Sequence, residues 1–310
     1  MLIKSAPMPN RHFSRCGHLA NLFDIAMTVA ATPVWRTCPT RIKETRVSLL
    51  FSETGKLHIC AHRGQSYSAP ENTLAAFRAA VQLGASVCET DLAVTADGEF
   101  VLIHDASVDR TTNGKGLVAR MTLDELRELD AGSWFGPQFA GERVPTLREG
   151  FALARELGFI IQLELKIHGR DDEILPRLAK LIDEEDAHGV VQFSSFDFAQ
   201  LRRAKLEMPR IHTLGISHSR LINPVAAARE ALLDAYNIEI QHFASGEAQE
   251  LHEEGIAAFL TVPRPDKIAL NATYGDDLEP RLLAWIAEGR MDQLCCDDAG
   301  FLARLVGGDI

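Results

Sequence analysis

Two histidines, three carboxylates, an arginine and a lysine stand at the ends of four successive apolar runs in this chain. They lie in His62-Arg63-Gly64, Glu89-Thr90-Asp91, His104-Asp105 and Gln162-Leu163-Glu164-Leu165-Lys166. In a strand, residues i and i+2 share a face. Glu89 and Asp91 therefore point the same way, and Gln162, Glu164 and Lys166 line one face while Ile161, Leu163 and Leu165 line the other. Val87, Cys88 and Leu92 around the acid pair are apolar, which turns both carboxylates toward a crowded interior. Two ionised acids there repel, and each costs several kcal/mol to desolvate. A divalent cation answers both costs; a pair of salt-bridged acids at a strand end is the alternative. With Glu164 as a third acid, the oxygen-only set suits a hard cation, Mg²⁺ or Ca²⁺. Arg63 and Lys166 suit phosphate oxygens. His62 and His104 suit paired general-base and general-acid work near neutral pH. Together these groups describe phosphoryl chemistry around one divalent cation.

The elements that must position these groups follow from the pattern beyond residue 57. Apolar runs at 57–61, 87–92, 100–104, 160–165, 190–193, 211–215, 236–240, 257–262 and 293–296 read as strands. Helical patterns at 73–83, 147–157, 172–186, 198–205, 224–234, 248–254 and 278–287 fall between them. This alternation predicts a mainly parallel sheet wrapped by helices, a (β/α)8 TIM barrel, whose catalytic groups gather at the C-terminal ends of the strands. Nine candidates compete for eight places in the ring. Only seven residues separate Leu92 from Phe100, too few for a helical crossover, and Asp97-Gly98 marks a tight turn at which the chain runs back across the barrel edge. The stretch 106–144 breaks the strand–helix rhythm, carries five glycines, and is expected as a small insertion over one barrel mouth.

Composition narrows the partners. The 310 residues carry a net charge of −11 with 46% apolar residues, ordinary for a globular chain and unfavourable for nucleic acid or an anionic membrane as main partner. An acidic chain that handles an anionic small molecule needs a local positive centre, which a bound cation and a few Lys and Arg supply. Residues 1–43 hold six Lys/Arg against the single acid Asp24, a local charge of +5 that leaves −16 on the remainder. We expect residues 1–50 to be an N-terminal extension, disordered or loosely docked, with the barrel domain at 57–306. The apolar stretch 19–35 is interrupted by Asp24, too short and mixed to span a bilayer and poor as a signal peptide. The six cysteines form no CxxC or Cys/His cluster, which argues against structural zinc and a disulfide framework and for a reducing compartment. A cytoplasmic location is expected, periplasmic if the N-terminal segment is a signal. The oligomeric state is left open.

The motifs also carry a family likeness. His62-Arg63-Gly64, Pro70-Glu71-Asn72-Thr73-Leu74, Glu89-Thr90-Asp91 and His104-Asp105 resemble, in order and spacing, the signature of the glycerophosphodiester phosphodiesterases. The run Asp109-Arg110-Thr111-Thr112-Asn113-Gly114-Lys115-Gly116 is similar to the start of that family's insertion, and Val144-Pro145-Thr146-Leu147 to its end. Glu164-Leu165-Lys166 and Ser194-Ser195-Phe196 match later strands. The resemblance implies Glu89, Asp91 and Glu164 as ligands of the cation, His62 and His104 as the catalytic pair, and Arg63 and Lys166 on the phosphate. The substrate it implies is a small phosphodiester, cleaved to glycerol 3-phosphate and an alcohol; related lyases that release a cyclic phosphate, and hydrolysis of a sugar phosphodiester, are the alternatives. Asn72 or Thr73 reads independently as a helix N-cap, a structural role for that motif. Two departures fall late in the chain: Leu260-Thr261-Val262-Pro263 stands where the family commonly has Trp-Thr-Val-Asn, followed by an expected loop over 266–275, and Cys296-Asp297-Asp298 stands where Thr-Asp-x-Pro is usual. Both segments rim the substrate pocket in such enzymes, so the alcohol accepted is expected to differ.

Overall fold

A computed structural model describes residues 48–167 and 169–307. The expected N-terminal extension lies outside the described residues up to position 47, as do Cys16 and Cys38. A short helix α1 (Phe51–Thr54) precedes β1 (His58–Ala61), α2 (Leu74–Gln82), β2 (Val87–Val94) and β3 (Phe100–Leu102). Then come α3 (Leu123–Arg127), α4 (Leu147–Leu157), β4 (Ile160–Leu165), α5 (Asp171–Glu184), β5 (Val191–Ser195), α6 (Phe198–Glu207) and β6 (His212–Ile216). The chain closes with α7 (Pro224–Glu230), β7 (Ala235–Ile238), α8 (Glu247–Glu253), β8 (Ala257–Thr261), α9 (Pro265–Ala272), α10 (Glu279–Ala287), β9 (Gln293–Cys296) and α11 (Ala299–Leu305).

Eight of the strands pair in parallel as a closed ring, β1-β2-β4-β5-β6-β7-β8-β9, with β1 against both β2 and β9. The fold is the expected TIM barrel. The ninth strand is β3, which hangs antiparallel on β2 with Leu92 opposite Leu102 and Val94 opposite Phe100. This corrects one expectation: the run at 100–104 does not rise within the ring. β2 projects past the rim, the chain reverses at Gly98 (φ +90°), and β3 descends. His104 thus reaches the mouth from above, where the Ile103 amide binds the Asp91 carbonyl.

The alternation read from sequence sorts the layers. On β4, Ile161, Leu163 and Leu165 are buried in the main core against helices, while Gln162 and Glu164 face inward. Inside, Cys60, Val87 and Cys295 form an apolar floor with the half-buried Ile160. Above it, the buried Gln162 carboxamide oxygen accepts hydrogen bonds from Gln192 Nε2 at 2.9 Å and Gln293 Nε2 at 2.8 Å. That ties three strands together under the acids, with each buried amide group partnered as burial requires. The four described cysteines are buried free thiols.

Local signals explain where the elements begin and end. α4 spans the expected 147–157 because Thr146 and Glu149 form a capping box and Gly158 takes the left-handed C-cap conformation. Thr73, and not Asn72, is the N-cap of α2; its hydroxyl accepts from the Ala76 amide. Residues 106–144 fold around their own core of Val101, Ile103, Val108, Val118 and Leu126. Four helices were absent from the sequence reading: the short α1 and α3, and the longer α9 and α11. The expected loop at 266–275 is largely α9, started by Pro265 and anchored by a single buried residue, Ile268, too little apolar pattern to register as periodic. α11 is buried on nearly every face, which erases the period altogether. Among the described residues no helix is long and apolar enough to cross a membrane.

The far side of the ring is pinned by Asp234, at the entry to β7. Its Oδ2 accepts the Thr213 amide of β6 at 2.8 Å and the ammonium of Lys205 on α6, with the His212 ring at 3.7 Å. Burial pushes this carboxyl up, but His212 and Lys205 outweigh it and hold it well below the usual carboxylate range. The unfolded chain therefore takes up the proton first as pH falls, so the stabilisation is complete above about pH 4 and is lost below it. Asp234→Asn should cost about 2 kcal/mol at pH 7 and flatten the fall in stability between pH 4 and pH 2, as read by denaturant titration across that range.

Candidate active site

Three buried or half-buried carboxylates, Glu89, Asp91 and Glu164, bring ligand oxygens within 4.8 Å of one another at the C-terminal mouth of the ring. The register of β2 against β4 does this: Asp91 stands directly opposite Glu164, with Glu89 two residue pairs below, on the same face. Their partners are positive or donating. Lys166 Nζ lies 2.7 Å from Asp91 Oδ1 and 3.7 Å from Glu164 Oε1. Asn72 Nδ2 donates to Asp91 Oδ2 at 2.9 Å while its own oxygen accepts from Thr90 at 2.6 Å. Arg63 donates its backbone amide to Glu89 Oε2 at 3.0 Å and brings Nε to 3.6 Å from Asp91.

That compensation is incomplete. Burial, and then repulsion from Asp91, pushes Glu89 up to about 8. Glu164 is also raised by burial against the pull of Lys166, whereas Lys166 and Asn72 overcome burial at Asp91 and hold it low. Glu89 Oε1 is buried with no hydrogen-bond partner among the described residues. An orphaned carboxylate oxygen in a nest of acids is what a hard cation would satisfy, so the donor set fits the metal that the sequence suggested.

The two histidines flank this cluster, each with one ring nitrogen held by a carboxylate. His62 Nδ1 meets Asp297 Oδ1 at 2.6 Å, and its Nε2 lies 3.8 Å from Glu89. Burial disfavours its imidazolium, but Asp297 and Glu89 raise it to about 10. His104 Nδ1 meets Asp105 Oδ1 at 2.6 Å. Asp105 in turn accepts from Arg110 at 2.8 and 3.0 Å, and Arg110 forks onto Glu71, which accepts from Arg63 at 3.0 Å. The Arg110 hydrogen bonds hold Asp105 well below its ordinary range. One continuous chain of ion pairs therefore runs from His104 through the insertion to Arg63.

All seven residues singled out in sequence are brought together here: His62, Arg63, Glu89, His104, Glu164 and Lys166 line one cavity of about 490 Å³, with Asp91 buried just behind it. The sequence reading missed the groups that hold them. Asp105 adjoins His104, Glu71 and Asn72 sit in the Pro70–Leu74 motif, and Arg110 sits in the run that opens the insertion; these signals were present but unassigned. Asp297 was noted only as a family departure. Lying 235 residues from His62, it has no local signal at all.

The loop carrying His62 and Arg63 is held by backbone geometry. Arg63 itself adopts φ +57° and Gly64 φ +78°; a non-glycine residue there stores about 1 kcal/mol of strain, found where the surroundings over-determine the chain.

The chain is similar to known proteins in both sequence and fold. A model of the glycerophosphoryl diester phosphodiesterase family matches residues 62–275. The glycerophosphodiester phosphodiesterase of Caldanaerobacter subterraneus subsp. tengcongensis is 40% identical over 192 residues, covering 61% of this chain and 77% of that protein. The Bacillus subtilis enzyme of the same description is 31% identical, over 60% of this chain and 66% of its own length. Among solved structures, an Oleispira antarctica phosphodiesterase in complex with the product sn-glycerol-3-phosphate superposes with a TM-score of 0.71 at 26% identity, covering 82% of this chain and 98% of that one. The Agrobacterium tumefaciens glycerophosphodiester phosphodiesterase gives 0.67 at 26% identity, over 80% and 100%.

Gly64 offers a direct test of the loop geometry. A Cβ there would stand 2.8 Å from the Ala76 carbonyl carbon of α2. Gly64→Ala should therefore destabilise by about 2–4 kcal/mol, from left-handed strain and overpacking together. A melting temperature within 1 °C of the parent would show that the loop is not clamped in this way.

Proposed function

The chain belongs to the glycerophosphoryl diester phosphodiesterase family and is an enzyme of that activity, and from its site we propose that it hydrolyses small glycerophosphodiesters to glycerol 3-phosphate and an alcohol with one divalent cation, Mg²⁺ or Ca²⁺, and histidine acid–base catalysis. The observation that carries this reading is the partnerless Glu89 Oε1 among three clustered acids, flanked by two carboxylate-anchored histidines. The product found in the Oleispira antarctica relative supports glycerol 3-phosphate as the product here.

Glu89, Asp91 and Glu164 would hold the cation. When bound, it supplies Lewis-acid stabilisation of phosphate charge. Arg63 and Lys166 face the same cavity and bind the remaining phosphate oxygens, one as a planar fork and the other as a point charge. Donation of each Nδ1–H to a carboxylate fixes the tautomer and leaves Nε2 for the substrate. His62 acts as general base toward the attacking oxygen. A cation held by Glu89 would offset part of the negative charge that favours a proton on His62, while Asp297 continues to hold Nδ1. His104 protonates the departing alkoxide, oriented by Asp105, which Arg110 keeps ionised. The attacking oxygen is water or a neighbouring glycerol hydroxyl; in the second case a cyclic phosphate precedes glycerol 3-phosphate.

Three measurements test this assignment. Release of glycerol 3-phosphate from glycerophosphocholine should be abolished by EDTA and restored by Mg²⁺ or Ca²⁺. Glu89→Ala or Glu164→Ala should lose activity and cation affinity together, and wild-type turnover in either variant would sink the ligand set. His104→Ala should lose ~10²–10⁴-fold on glycerophosphocholine and far less on a glycerophosphodiester with a nitrophenol leaving group. If His62→Ala shows that leaving-group rescue instead, the two histidines exchange roles.

A further inference from the structure

The cavity has two chemically distinct halves. Catalytic groups occupy the rim of β1, β2 and β4; the opposite wall, built by β5 to β8, contributes nothing to the chemistry derived above. There the loop after β5 presents Phe196, which is 44% exposed. Its ring lies 4.7 Å from that of His218, beyond β6, at an interplanar angle of 43°. Glu239, just past β7, accepts from His218 Nδ1 at 2.7 Å. Leu214, Ile216 and Ile240 complete this wall.

The wall suits one kind of group. A polyhydroxylated arm would need several free donors and acceptors, yet of the polar groups on this wall Asn237 and Thr261 are bonded to each other at 3.1 Å and His218 to Glu239 at 2.7 Å. A carboxylate beside an aromatic face and aliphatic side chains is the environment of an ammonium or quaternary ammonium. The pair between His218 and Glu239 does not block it, because the His218 side chain is 77% exposed and exposed ion pairs contribute little. Charge also fixes the direction. A second chamber of about 330 Å³ lies across Thr261, Val262 and Pro263 and is lined by Arg264 and Lys267, which repel a cation. The only Lys or Arg among the described residues lining the larger cavity are Arg63 and Lys166, at the phosphate end.

We propose that Glu239 and Phe196, with His218, form a subsite for a cationic alcohol, so that the enzyme selects glycerophosphodiesters whose leaving group carries an ammonium. The proposal rests on the phosphodiesterase reading above and adds the substrate class to it.

The test compares glycerophosphocholine with glycerophosphoglycerol, which share the phosphodiester and differ in the charge of the alcohol. Wild type should favour glycerophosphocholine in kcat/KM by ~10-fold or more. That preference should fall ~10-fold in Glu239→Gln, through KM, and by several-fold in Phe196→Leu. Titration of the full-length protein with choline chloride, followed by calorimetry, should show millimolar binding that Glu239→Gln weakens at least ~10-fold and that glycerol does not reproduce. A preference in Glu239→Gln within twofold of wild type, or equal choline affinity in the two proteins, overturns the subsite. Absence of turnover of both diesters by wild type overturns the phosphodiesterase reading instead, and choline binding then decides the subsite alone.

Discussion

Three carboxylates sharing one small volume at the barrel mouth are the constraint around which the rest is arranged. Their mutual repulsion and desolvation oppose folding unless positive charge and donors are brought to them. The structure brings Lys166 between Asp91 and Glu164, the Asn72 amide to Asp91 and the Arg63 backbone to Glu89. Two of these deliveries have a structural cost: Arg63 and Asn72 both hold left-handed backbone, at φ +57°. Even so, Glu89 Oε1 is left without a partner. An uncompensated carboxylate oxygen in such a cluster is one that a hard cation would satisfy.

The histidines obey the same electrostatics at one remove. Each is fixed by a carboxylate, but the two carboxylates come from opposite ends of the ring. Asp297 closes the barrel beside β1, so His62 is positioned by ring closure itself. Asp105 follows the descending strand β3 and is locked by Arg110, so His104 is positioned by the insertion. Glu71 joins Arg110 to Arg63, so Arg63 and the second histidine share one support. The insertion thus serves the active site as a brace.

The remaining half of the mouth differs in its chemistry. Strands β1, β2 and β4 supply charge, whereas β5 to β8 supply an aromatic, an acid and aliphatic side chains. A barrel permits this division because each strand end contributes its own loop to a common rim. The late departures from the family pattern, at 260–263 and 296–298, lie on the boundary between the two chambers. They leave the carboxylate cluster untouched.

Much of this was legible in the chain itself. Alternation at Gln162-Leu163-Glu164-Leu165 separates inside from outside because the strand period of two is a local property. Thr146, Glu149 and Gly158 mark the ends of α4 because capping is satisfied within a few residues. The cluster of acids and histidines could be assembled because strand ends in a parallel barrel share one face. What sequence did not decide was which candidate strand lies outside the ring, and the contacts that form only once the ring has closed and the insertion has folded back. The descent of β3 turns on antiparallel pairing past the rim, α11 hides its period by complete burial, and α9 rests on one anchoring residue. The support of the histidines was likewise beyond reach: Arg110 finds Asp105 and Glu71 only once the insertion has folded back. Asp297 finds His62 across 235 residues only because the last strand pairs with the first, a contact that no local pattern encodes.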